Sequence, residues 1–149
     1  ENLGYSLYGK TLGIIGMGRI GQALAKRAVA SGMKIIYFNR NRLDSRIEAL
    51  YNAEYVSLDE LFTTADVVSV NAPHTAQTTH IVDAHRLEQM KPTAILVNTA
   101  RGPLVDELAL ARALQEKKIY GAGLDVFEFG DKVSARKFWH ATMLSSLHI

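Results

Sequence analysis

Three glycines and one arginine are the residues of this chain whose types and spacing speak most directly of chemistry. Gly16, Gly18 and Gly21 lie in Gly16-Met17-Gly18-Arg19-Ile20-Gly21, between the apolar run Leu12-Gly13-Ile14-Ile15 and a stretch, Gln22 to Val29, whose apolar residues recur at helical spacing. A strand, a glycine-rich turn and a helix in that order suit a dinucleotide pyrophosphate. Gly16 permits the tight turn and Gly18 puts no side chain in the way of the phosphates. Gly21 lets the helix pack close to the strand, its N-terminal N–H groups facing the anion, and Arg19 and Ile20 belong to the same loop. Arg101 follows the apolar run Ala94-Ile95-Leu96-Val97 and opens a turn, which places it at the carboxyl end of a sheet, where ligands sit in open α/β folds. A guanidinium fixed there can clamp a carboxylate and polarise a neighbouring carbonyl, as reduction of a 2-oxo acid requires.

The elements that must position these residues alternate along the chain. Strands are expected at Thr11 to Ile15, Lys34 to Phe38, Glu54 to Val56, Val67 to Asn71, Ala94 to Thr99 and Gly121 to Val126. Helices are expected at Arg19 to Ser31, Leu43 to Tyr51, Leu58 to Thr63, Ala84 to Gln89 and Glu107 to Glu116. Ser57 with Glu60 reads as a capping box, Asp83 and Asp106 as N-caps, and Gly32 as the stop of the first helix. Strands apolar on both faces, alternating with helices, indicate an α/β fold: a doubly wound parallel sheet of the Rossmann-like, NAD(P)-binding kind. From Phe127 onward the pattern supports no assignment.

The end of the second strand reads the adenosine ribose in this fold, and an acid there bonds the 2′-hydroxyl of NAD. Here Asn39 takes that place and Arg40 follows, with Arg42 and Arg46 beyond. A neutral residue removes repulsion against a 2′-phosphate, and a guanidinium can bond that dianion in a forked geometry. NADP(H) is therefore the favoured cofactor, with NAD(H) as the other choice. The plainer reading of the arginines is a solvated basic edge.

The rest of the composition mainly excludes. At 149 residues, 48% hydrophobic and 21% charged, the chain has the make-up of one globular domain. A formal charge of +2 does not point to nucleic acid, and the absence of cysteine excludes disulfides and thiolate chemistry. No apolar run has the length of a membrane span and no signal peptide opens the chain, so a cytoplasmic location is expected. His80 and His85 lack the spacing of a helical metal pair, and no metal site is expected. With His74 they read as surface or loop residues.

Gly16 to Gly21, Asn71-Ala72-Pro73-His74-Thr75, Asn98-Thr99-Ala100-Arg101-Gly102 and Gly121 to Glu128 together resemble the D-isomer-specific 2-hydroxyacid dehydrogenases. The segment Tyr37 to Arg42 is most similar to the glyoxylate and hydroxypyruvate reductases among them. The resemblance implies hydride transfer between a nicotinamide and C2 of a small 2-oxo or 2-hydroxy acid. By it, Arg101 holds the substrate and Asp125 the nicotinamide pocket. Ala72, Pro73 and Thr78 line the adenosine side, and Thr99 with Ala100 the nicotinamide side. The family's acid is a histidine oriented by a glutamate, a pairing that suits proton donation near neutral pH. His148 matches the histidine, but Leu147 replaces the usual preceding proline, and Gly130 stands five positions beyond Asp125 where the glutamate belongs.

Family members also carry a substrate domain built from segments flanking the cofactor domain. Residues 1–149 hold neither segment and begin at Glu1, so the chain is expected to be the dinucleotide-binding domain of a longer enzyme. On its own it should bind dinucleotide and turn over poorly. Family dimers form through this domain, so weak self-association is expected. The alternative is a non-catalytic, NAD(P)-sensing module of the corepressor kind. Gly130 and Leu147 favour that alternative, and Arg101 and His148 favour the enzyme. Rossmann proteins of the adenosylhomocysteine hydrolase kind find no counterpart of their chemistry at Arg101 or His148.

Overall fold

Strands that are apolar on both faces can be stable only with helices covering both sides, and the chain folds in that way. A computed structural model of the protein describes residues 6–129. In order they form β1 (Thr11–Ile15), α1 (Arg19–Ala30), β2 (Lys34–Phe38), α2 (Ser45–Tyr51), β3 (Ala53–Tyr55), α3 (Leu58–Thr64), β4 (Val67–Val70), α4 (Ala84–Gln89), β5 (Ile95–Asn98), α5 (Glu107–Gln115) and β6 (Gly121–Leu124). A 3₁₀ turn at Gly102–Leu104, not expected from the sequence, precedes α5. The six strands run parallel in the order β3-β2-β1-β4-β5-β6. The doubly wound sheet is therefore present, with the reversal of strand order between β1 and β4.

Alternation along the strands divides the core in two. Leu12, Ile14, Ile35 and Tyr37 pack with Ala25 and Ala28 of α1 on one face. Ile15, Ile36, Val68, Val70 and Leu96 pack on the other with Leu61 and Phe62 of α3, Leu87 of α4 and Leu110 of α5.

The helix ends follow their sequence marks. Gly32, at φ +78°, closes α1 in a Schellman motif: its N–H donates to Val29 and the Met33 N–H to Ala28, each to the backbone carbonyl. Asp83 and Asp106 accept from the N–H groups of Arg86 and Ala109, and the Ser57 hydroxyl accepts from that of Glu60. α2 begins later than expected because Asp44 is its N-cap, accepting from the Arg46 N–H. β6 ends earlier, at Leu124. Beyond it the backbone turns over Gly102 so closely that a Cβ there would lie 2.1 Å from the Phe127 carbonyl carbon.

At the opposite, amino-terminal edge of the sheet one residue, Asp66, ties three strands through its carboxylate and backbone. Asp66 accepts from the Thr11 N–H at 2.8 Å and from the Lys91 ammonium at 2.9 Å, while its own backbone bonds to Thr11 and Ile95. Burial pushes the Asp66 carboxyl up, but the Thr11 N–H and Lys91 outweigh it and hold the group below its ordinary value. A carboxyl depressed in the folded state lends stability that is complete above its unfolded value, near 3.8, and is lost as pH falls through the folded one. Urea unfolding followed from about pH 6 down to pH 2 should therefore show stability falling below about pH 4, with a shallower fall in Asp66→Asn.

Candidate functional site

Parallel register lines up the carboxyl ends of five strands. Ile15 pairs with Phe38 on one side and Val70 on the other, Val70 with Asn98, and Asn98 with Leu124. The residues that come next are Gly16, Asn39, Asn71, Thr99 and Asp125. One edge thus receives every candidate site residue within the described part of the chain.

The glycine turn sits where strand order reverses. The Gly16 N–H donates to the Phe38 carbonyl and the Asn71 N–H to that of Ile15, which pins the turn between β2 and β4. Gly16 has φ +90°, and a Cβ there would lie 2.6 Å from the Ala72 nitrogen. Gly21 is fixed by contact instead, since a Cβ would come 2.6 Å from the Gly16 oxygen and 3.2 Å from Ile14. Gly18 has neither reason. Its φ is −81° and a Cβ would meet nothing within 4 Å. No side chain caps the N-terminus of α1 and no acid stands in its first turn, while Arg19 and Ile20 are exposed beside it. A helix end so arranged favours an anion.

Asn39 is not free to act as a plain stand-in for an acid. Its Oδ1 accepts from the Met17 N–H at 2.7 Å, which joins the end of β2 to the glycine turn and leaves Nδ2 without a hydrogen bond among the described residues. The basic edge resolves into three different arginines. Arg42 grips Glu48 through Nε and Nη2, both at 2.9 Å, and Arg46 pairs with Asp44. Arg40 is exposed and has no hydrogen bond or ion pair among the described residues.

After β4, Ala72 is buried and Pro73 exposed. The Thr78 hydroxyl donates to the Pro73 carbonyl at 2.7 Å and accepts from the Thr75 N–H at 2.8 Å, so it braces this loop. After β5, the decisive residue is one that sequence reasoning passed over. Asn98 is buried, its Nδ2 donating to the Arg101 carbonyl at 2.9 Å and its Oδ1 accepting from the Ala100 N–H at 3.1 Å. Its own carbonyl accepts from the Asp125 N–H at 3.1 Å. One amide therefore shapes the turn of Thr99, Ala100 and Arg101 and sets Asp125 beside it. The signal was a polar residue closing an apolar strand run. Arg101 is exposed, with Nη1 donating to the Ala100 carbonyl, and the Asp125 carboxylate is exposed with no partner among the described residues.

His80 is no plain surface residue. At φ +52° it brings Nε2 within 2.7 Å of Glu128 Oε1, and the Glu128 N–H donates to the buried Glu107 carboxylate. The pair joins the β4 loop to the β6 exit across 48 residues, a separation that no local pattern announces. His148, Gly130 and Leu147 lie outside the described residues.

Residues 1–146 match the family described as D-isomer specific 2-hydroxyacid dehydrogenase, NAD binding domain. The chain belongs to this family. The glyoxylate reductase of Thermococcus litoralis is 55% identical over 126 residues, which cover 85% of this chain and 38% of that protein. Among solved structures, a glyoxylate reductase from Paecilomyes thermophila has a TM-score of 0.81 at 51% identity, covering 85% of this chain and 38% of that one. The apo D-mandelate dehydrogenase of Rhodotorula graminis has a TM-score of 0.84 at 40% identity, covering 87% and 38%. The chain spans well under half the length of these relatives.

In this dehydrogenase domain the described residues contain no group of three or more His, Asp or Glu side chains placed to hold a metal ion, and no helix long and apolar enough to cross a membrane. The organising role of Asn98 is open to test by Asn98→Ala, which removes the bonds to the Arg101 carbonyl and the Ala100 N–H and empties a buried position. Urea unfolding should show a loss of about 2 kcal/mol or more, and nucleotide affinity should fall with it.

Proposed function

We propose that this edge binds NADP(H) and forms the cofactor half of an active site that reduces a small 2-oxo acid of the glyoxylate type. The observation that carries the reading is Gly18. Its neighbours in the motif are glycine for reasons internal to the fold, whereas a Cβ at Gly18 would have no described atom beyond its chain neighbours within 4 Å. Open space at the uncapped, acid-free start of α1 is what a pyrophosphate needs. The residues present fit a dinucleotide: Gly16 to Gly21 for the pyrophosphate, Asn39 and Arg40 for the adenosine end, Ala72, Pro73 and Thr78 beside the adenine, and Thr99, Ala100 and Asp125 for the nicotinamide end.

Preference for the phosphorylated form rests on Asn39 and Arg40. With its oxygen turned to Met17, Asn39 offers N–H groups rather than an acceptor to the ribose. Arg40 supplies an uncommitted guanidinium next to it.

The bound nicotinamide supplies the hydride. The work of this chain's residues is to orient and neutralise. Arg101 follows β5 at the carboxyl edge of the sheet, where its guanidinium can hold the substrate carboxylate and draw charge onto the carbonyl oxygen that becomes the alkoxide. Asp125 accepts from the nicotinamide amide. His148 donates the proton to the forming alkoxide. The glyoxylate reductases at half identity or better support this substrate class.

Fluorescence titration of the chain should give a dissociation constant for NADPH lower than that for NADH by on the order of tenfold, the effect of one charge-assisted phosphate contact. Tighter binding of NADH would overturn the preference. In the longer enzyme that carries this domain, Arg101→Ala should lower kcat/KM for glyoxylate by about a hundredfold or more while NADPH affinity changes little.

A further inference from the structure

The turn after β2 is held at both ends. On the near side the Tyr55 hydroxyl donates to the Asn39 carbonyl at 3.1 Å, and Asn39 Oδ1 takes the Met17 N–H. On the far side the Tyr37 hydroxyl accepts from the Leu43 N–H at 2.9 Å and donates to Glu48 Oε1 at 2.7 Å. Glu48 also accepts from Nε and Nη2 of Arg42, whose guanidinium carbon lies 5.9 Å from the centre of the Tyr55 ring.

A carboxylate drawn out of water needs donors, and Glu48, a buried side of α2, has three. The Arg42 guanidinium holds its carboxyl below the ordinary range, with the Tyr37 hydroxyl helping. Burial and the bond to Glu48 push the Tyr37 hydroxyl up to about 12, so it remains a donor throughout the neutral range. A phosphate that recruited Arg42 would have to strip Glu48 of its counter-charge, and an uncompensated buried charge is strongly unfavourable. The pair is neutral as a unit. The field at the tip of the turn is therefore that of Arg40.

We propose that Glu48 is a specificity-determining positioning residue: through Arg42 and Tyr37 it fixes the 39–43 turn so that Arg40, and not Arg42, meets the 2′-phosphate. This rests on the preference for NADP(H) proposed above. Arg42 is then a strut, and nucleotide choice depends on an acid that touches no nucleotide.

The test is a set of NADPH and NADH titrations on the chain and its Arg40→Ala, Arg42→Ala, Glu48→Ala and Glu48→Gln forms. Arg40→Ala should weaken NADPH by on the order of tenfold, and Glu48→Ala by several-fold, with NADH moving less than about twofold in either. Glu48→Gln, which keeps hydrogen-bonding capacity, should recover part of the loss. Arg42→Ala should weaken NADPH by no more than Glu48→Ala does, because it acts only through that residue. A larger loss of NADPH affinity in Arg42→Ala than in Glu48→Ala would make Arg42 a phosphate ligand and overturn the proposal. Equal losses for both nucleotides would mark a merely structural role and overturn it too. If the unsubstituted chain favours NADH, the NADP(H) reading itself fails, whereas a chain that favours NADPH with an unchanged ratio in Glu48→Ala defeats this inference alone.

Discussion

The row Phe38, Ile15, Val70, Asn98 and Leu124, drawn across the sheet by parallel pairing, is the constraint on which the site depends. In a parallel sheet all strands leave by the same edge, so the loops that follow them must share it. The register makes that sharing strict. Five strands end level, and five short exits deliver glycines, amides, an arginine and an aspartate to one side. A slip of one residue in any strand would reverse its faces and move its exit, so the apolar core that sets the register also sets the site.

Second to the register comes the tying of neighbouring exits. The Gly16 turn is bonded to Phe38 and lies against Ala72, Asn39 bonds Met17, and Asn98 bonds both its own turn and Asp125. His80 with Glu128 joins the β4 loop to the β6 exit. Most of these links run through backbone groups and short amide side chains, which hold geometry with little freedom to lose. Charged side chains are left for the rim: Arg19, Arg40, Arg101 and Asp125 are exposed, and positive charge predominates where an anionic nucleotide and an anionic acid would meet the domain.

Much of this was legible in the sequence because it is written in local patterns. The strand at Thr11–Ile15, the helix from Arg19, the stop at Gly32 and the caps at Asp83 and Asp106 follow from periodicity and from residues with one dominant use. What escaped depends on distance in the chain. Glu48 reads as one more charged residue of a short helix until Tyr37 and Arg42 surround it, and His80 gains its partner only when β6 returns. Thr78, expected to line the adenosine side, also braces its own loop through its hydroxyl. The three arginines after β2 are alike in sequence, and only the fold separates the strut from the cation left open.

The central claim is that the level edge of the sheet, with the open space at Gly18 as its centre, is where the dinucleotide lies. Amide chemical-shift mapping of the chain during titration with NADPH tests it most directly. The predicted result is that the largest changes fall on Met17 to Gly21, Asn39 to Asn41 and Thr99 to Arg101, with the surface of α4 and α5 unmoved. Changes centred on α4 and α5, or a glycine turn that does not respond at saturating NADPH, would contradict it.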